Sequence, residues 1–173
     1  MAAPALANDV IKRIQEAMEK NPGAMTSMVA KQLGVPEVEV VRHFPGNRSV
    51  ELDGRRAADL IRKFETLGNV HVIVNNGAVV LEAFGEFGNF SVAGPFLNVQ
   101  SKSLDMHIRQ DLLASVFALE KPSHMDGVNT LSIQFFTPEG VAAFKVFLTF
   151  GQTAPSPERV AQFAELKSAF KLQ

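Results

Sequence analysis

Residues 69–84 read NVHVIVNNGAVVLEAF. The runs Val70–Val74 and Val79–Phe84 are dense in β-branched and aromatic residues and alternate with a period of two, the spacing of a strand with one buried face. Asn75-Asn76-Gly77 lies between them, and an Asn-Gly pair there supplies the positive φ of a tight hairpin. Five further runs of this kind follow: Phe96–Gln100, Leu104–Ile108, Leu113–Leu119, Leu131–Phe136 and Val141–Phe150, with Thr137-Pro138-Glu139-Gly140 as another turn. No helical stretch separates them, so they predict an antiparallel sheet rather than βαβ units.

Outward from the sheet the period is 3.6. Val10, Ile11, Ile14, Ala17 and Met18 form the stripe of an amphipathic helix with Asn8 and Asp9 as cap and N-terminal charge, ending at Asn21-Pro22-Gly23. A second helix is expected from Thr26 to Leu33, stopping at Gly34. A third runs from Pro36 to about Phe44-Pro45-Gly46. A fourth spans Asp53 to Leu67, with Ala57, Leu60, Ile61 and Phe64 on one face and Gly68 beyond its end. The last helix starts at Pro157, capped by Ser156, and carries Val160, Phe163, Leu166 and Phe170 on its apolar face to about Lys171. The fold class is α+β. One domain is expected over residues 1–173, with a helical segment (1–67) and a large antiparallel sheet plus C-terminal helix (68–173).

Composition removes several chemistries. The chain has Phe 14 but Cys 0, Tyr 0 and Trp 0, so disulfides, thiolate metal sites, Cys nucleophiles and tyrosinate ligation of iron are excluded. With 46% hydrophobic and 20% charged residues it can bury a core. A net charge of −1 provides no cationic field for nucleic acid or an anionic membrane. No apolar run approaches the ~18 residues of a membrane span. Met1–Ala7 has no basic n-region, and Asp9, Lys12 and Arg13 interrupt any signal-peptide core, so a soluble cytoplasmic protein is expected.

Ten of the Phe fall between residues 69 and 150, against four Lys/Arg and seven Asp/Glu. Most such Phe are core; a few would make the wall of an apolar pocket for a flat ligand. Ala30, Gly34, Val35 and Val40 sit where a helix-turn-helix corner wants a small residue, a turn and buried aliphatics. As a DNA-binding regulator the corner is poorly charged. Its second helix is expected to expose Glu37 and Glu39, and residues 1–67 hold ten Lys/Arg against nine Asp/Glu. The histidines His43, His71, His107 and His124 show no zinc-ligand spacing. No nucleophile-elbow, P-loop or dinucleotide fingerprint occurs, and Glu82 and Glu86 read as the solvent face of a strand.

The chain resembles the bacterial cytosolic heme-utilisation carriers of the HutX/ChuX type. The resemblance rests on Ala30-Lys-Gln-Leu-Gly-Val35, Leu67-Gly-Asn-Val70, Val80-Leu-Glu-Ala-Phe-Gly-Glu86, Gly94-Pro-Phe96, Met106-His-Ile-Arg109, Ser132-Ile-Gln-Phe-Phe136, Glu139-Gly140 and Phe144-Lys-Val-Phe-Leu148, in order over roughly residues 10–170. It implies a homodimer built like the two-repeat HemS/ChuS heme-handling proteins. It also implies that the chain binds imported heme and delivers it to a heme-degrading enzyme, with no catalytic residues of its own. A heme-degrading activity is the enzymatic alternative.

By the same resemblance His107 is the axial heme ligand. Arg109 and Lys102 are candidates for the propionates, and Phe96, Met106 and Asn75 for the heme pocket. Asn75 stands where the family has a second histidine, and Pro95 where an aromatic residue follows the glycine; His124 is an alternative ligand.

Overall fold

A computed structural model describes residues 6–149 and 152–173; Phe150, the expected end of the last strand, and residues 1–5 of the expected leaderless start lie outside the described residues. The helices are α1 (Asn8–Lys20), α2 (Thr26–Leu33), α3 (Glu37–Arg42), α4 (Ala57–Lys63) and α5 (Pro157–Phe170). The strands are β1 (Ser49–Leu52), β2 (Asn69–Asn75), β3 (Val80–Glu86), β4 (Ser91–Ala93), β5 (Phe96–Gln100), β6 (Asp105–Arg109), β7 (Ser115–Pro122), β8 (Asn129–Phe136) and β9 (Ala142–Phe147). They form not one sheet but two: a six-stranded sheet ordered β1-β7-β8-β9-β2-β3, and a three-stranded one ordered β4-β5-β6, both antiparallel.

All seven expected strands form, and β1 and β4 are additional. The large sheet is covered on both faces over β7 and β8. On one side Leu52, Val72, Val116, Ile133, Phe135 and Val146 pack with Leu60, Ile61 and Phe64, with Phe163, Leu166 and Phe170 of α5, and with Leu97, Val99 and Ile108 of the small sheet. On the other, Phe117, Leu119 and Phe136 meet Ile14, Met18, Val29, Val40 and Val41 of α1–α3. Burial on both faces explains why β7 and β8 are near-continuously apolar. Each fully buried Phe or Leu adds about 1.5–3 kcal/mol.

The helical corner holds as a packing unit. Gly34 takes the left-handed conformation (φ 68°) that ends α2. Glu37 and Glu39 are not exposed as expected; their side chains are only 12% and 17% accessible. The cause is Lys145 on β9, whose Nζ lies 2.6 Å from Glu37 Oε1, while Thr26 donates to the same oxygen at 2.6 Å. Glu39 sits against Arg42 and His43. Glu37 therefore docks α2 and α3 on the sheet, while Glu39 is paired within its own helix.

Three local expectations change. The N-cap of α1 is Ala7, with Asn8 already helical and no side-chain cap; Asp9 keeps its place in the first turn. The fourth helix is α4 flanked by 3-10 turns Gly54–Arg56 and Phe64–Leu67. Asp53 bends the entry by accepting from the Arg55 N–H, and Thr66 takes the Lys63 carbonyl at the exit. Val160 is 50% exposed because α5 meets the core only from Phe163 onward; Ser156 caps it as expected, accepting from the Arg159 N–H.

The β5–β6 hairpin is tied to the end of β3. Glu86 N–H donates to Ser103 Oγ at 3.1 Å, Gln100 N–H to the Gly88 carbonyl at 3.1 Å, and Asn89 Nδ2 to the Gln100 carbonyl at 3.1 Å. These bonds set the small sheet against the open end of the large one.

Candidate functional site

The register of β5 with β6 pairs Phe96 with Arg109, Leu97 with Ile108, Asn98 with His107, Val99 with Met106 and Gln100 with Asp105. Alternation then splits β6. Met106 and Ile108 face the core side with Leu97 and Val99, while Asp105, His107 and Arg109 share the opposite face with Phe96, Asn98 and Gln100. Because β6 is the free edge of its sheet, residues from both of its faces border one open cleft. That cleft has a volume of about 370 Å³ and is lined by Val74, Met106, His107, Ile108, Arg109, Leu112, Leu113, Thr137, Ala143 and Phe144. It is mostly apolar with a few polar groups at its rim, the make-up of a small-molecule site.

His107 is 57% exposed along its side chain, yet its ring is anchored. Nδ1 lies 2.7 Å from Oδ1 of Asn98, which is only 8% exposed and whose Nδ2 donates to Ser91 Oγ at 3.0 Å. An amide oxygen accepts only, so Nδ1 carries the proton and Nε2 keeps the lone pair needed to bind iron. Asp105 Oδ1 is 3.6 Å from Nε2.

The other predicted residues divide. Arg109 is close to His107 but already engaged. Its Nε and Nη2 donate to Asp111 at 2.8 and 2.6 Å, and the guanidinium stands 5.6 Å over the Phe96 ring. These hydrogen bonds and the opposed charges hold Asp111 below the usual carboxylate range and raise Arg109. A propionate would have to displace Asp111. Phe96 packs under Arg109 on the outer face and is not part of the cleft lining, whereas Met106 is. Lys102 is exposed in the β5–β6 turn, at the opposite end of β6 from Arg109.

Two residues are not brought to His107. Asn75 closes β2, where its Oδ1 accepts from the Gly77 N–H at 2.8 Å. Strand alternation turns Val74, not Asn75, into the cleft. His124 lies in the turn between β7 and β8, while the cleft sits at the other end of that hairpin; at ~3.4 Å per residue the two are roughly 25 Å apart. Within one chain His124 cannot share an iron with His107. His71 stacks on Phe84 with centroids 4.3 Å apart, and its Nε2 is 2.8 Å from Glu82. His43 caps α3 beside Glu39. Among the described residues no group of three or more His, Asp or Glu side chains could hold a bare metal ion.

Asn98, Val74, Leu112 and Leu113 were not anticipated. A signal for Asn98 existed: a hairpin folded symmetrically about Ser101-Lys102-Ser103-Leu104 pairs Gln100 with Asp105 and therefore Asn98 with His107.

Residues 50–166, from β1 into α5, match the model of the haem utilisation ChuX/HutX family. The chain belongs to this family. The matched stretch contains both sheets and the cleft, with α1–α3 outside it. Among ChuX/HutX relatives, the intracellular heme transport protein HutX of Vibrio cholerae is 24% identical over 163 residues, covering 92% of this chain and 83% of HutX. The hemin transport protein HemS of Yersinia enterocolitica is 31% identical over 91% of this chain, which spans only 46% of HemS. The solved structure of the heme-binding protein ChuX superposes with a TM-score of 0.79 at 27% identity, covering 90% of this chain and 97% of ChuX. Among the described residues no helix is long and apolar enough to cross a membrane.

Proposed function

We propose that this chain is an intracellular heme carrier, working in the cytoplasm as one domain, that holds heme through His107 and releases it to a heme-degrading enzyme. The observation that carries this reading is the oriented imidazole: a ring whose Nδ1 is held by Asn98, leaving Nε2 to ligate iron beside an apolar cleft. The family match and the printed functions of HutX, HemS and ChuX support heme as the cargo. Met106, Val74 and Leu112 offer apolar surface to a macrocycle, and Arg109, by exchanging Asp111 for a propionate, a cation at the cleft's rim. A single neutral ligand suits a protein that must let its cargo go.

A homodimer is the second part of the proposal. It is supported by the half-length match to HemS and by β3, the edge strand of the large sheet, which exposes Val80, Leu81 and Phe84 at 55–57%. A free apolar edge strand is an invitation to pairing, and a second copy would cover it.

Hemin titration tests the ligand. Wild type should give a histidine-type Soret band that His107→Ala loses. Identical spectra and affinities would refute the assignment. Adding a reductant separates carrying from degradation: a carrier keeps its heme spectrum, whereas a degrading enzyme bleaches it with formation of product. Light scattering of wild type against Leu81→Lys tests the dimer.

A further inference from the structure

We infer that Asn98 is the positioning residue of the heme ligand, an amide that fixes the tautomer and rotation of His107 while leaving the imidazole a weaker donor than a carboxylate partner would. The inference rests on the reading of His107 as ligand.

Three features of the structure carry it. Asn98 is 8% exposed, and both ends of its amide are used, Oδ1 by His107 at 2.7 Å and Nδ2 by Ser91 at 3.0 Å. It therefore cannot swing away, and its oxygen is turned toward the ring. Ser91 belongs to β4, a three-residue strand whose only partner among the described residues is β5, in register Ser91 with Asn98. Ser91 Oγ lies in turn 3.5 Å from Gln100 Oε1. The shortest strand of the fold thus closes a polar row, Gln100–Ser91–Asn98–His107, across the outer face of the small sheet. Finally, the ring it holds is more than half exposed, so packing alone does not fix its rotation.

The choice of amide has a chemical consequence. A metal-bound histidine normally passes its second N–H to a fixed acceptor, and loss of that acceptor costs ~10–100-fold in metal affinity. A carboxylate acceptor draws the proton toward itself and makes the imidazole more electron-donating. A neutral amide orients the ring without that gain, which favours a carrier that hands its heme on.

The test compares wild type with Asn98→Leu, Asn98→Asp and His107→Ala, reading hemin affinity, the iron–histidine stretching frequency of the ferrous complex and the heme midpoint potential. Far-UV circular dichroism establishes that each variant is folded. Asn98→Leu keeps the volume and removes the acceptor; it should bind hemin at least ~10-fold more weakly and lower the iron–histidine frequency. Asn98→Asp should bind at least as tightly as wild type, with a raised frequency and a lower potential. A merely structural role would move neither the frequency nor the potential. If His107→Ala loses the ligand band but Asn98→Leu binds within twofold of wild type with an unmoved frequency, the inference on Asn98 is overturned and the ligand stands. If His107→Ala keeps the wild-type spectrum, the ligand reading fails and this one with it. Should Asn98→Leu not fold, an Asn98→Asp protein with unchanged frequency and potential overturns the inference.

Discussion

Gly85→Ala should loosen the small sheet from the large one. Gly85 lies on β3 opposite Val70, directly beneath the turn that joins β5 to β6. A Cβ added there would sit 2.4 Å from Ser103 Oγ and 2.8 Å from both Ser103 Cβ and Leu104 Cγ. An ordinary contact needs ~1 Å more, so the turn must move outward by about that much. Overpacking of this kind costs about 1–3 kcal/mol. The Glu86 N–H to Ser103 Oγ bond is lost with it, adding about 1 kcal/mol. Gly85 has no positive φ, so alanine meets no backbone strain and regains about 0.5 kcal/mol through the unfolded chain. The net is a destabilisation of about 1.5–3.5 kcal/mol, or roughly 3–14 °C in melting temperature for a chain of this size. Thermal and urea unfolding measure it. Ser103→Gly in the same chain removes two of the three colliding atoms and should recover about half of the loss. A Gly85→Ala protein melting within 1 °C of wild type, or a double variant no better than the single, would refute the steric account.

Glu37→Gln should cost about 3 kcal/mol, because it strands the half-buried Lys145 ammonium between β9 and α3, while Glu37→Leu with Lys145→Met should return near wild type; urea titrations decide both. Lys121, half-buried with its ammonium donating to the Gly23 and Pro122 carbonyls, is lowered to about 8 from 10.5, first by desolvation and then by the charge of Lys145. Between those values the unfolded chain binds more protons than the folded one, so stability should rise with pH from about 8 to 10.5 by roughly 1–2 kcal/mol, and Lys121→Met should flatten that rise in melts across the window.

Much of the architecture is carried by local pattern. The two-residue period of β2 and β3, the Asn-Gly turn between them, the glycine ending α2 and the serine capping α5 are short-range facts, settled by the φ preferences and hydrogen-bonding groups of neighbouring residues. They suffice for an α+β chain with an antiparallel sheet. The order of motifs along the chain also pointed to the family that residues 50–166 match, and it put His107 forward as the ligand to test.

Long-range pairing lies beyond local pattern. Ser49–Leu52 has too few residues to announce a strand; it becomes one by pairing with β7, more than sixty residues away. The division into two sheets follows from where the β5–β6 hairpin is tied to β3, through Ser103 and Gly88. The same distinction governs the site. The resemblance offered His107 as axial ligand, Arg109 as a propionate partner, Asn75 at the position of a second histidine and His124 as an alternative ligand, with no means of saying which of them meet in space. Strand alternation and the length of the β7–β8 hairpin leave His107 at the cleft and the other two histidine-site candidates away from it, because a one-residue step on a strand reverses a side chain and eight residues carry it across the molecule. That Arg109 is held by Asp111, and that a buried amide nine residues upstream sets the proton on His107, are properties of contacts between side chains, which exist only once the chain has folded.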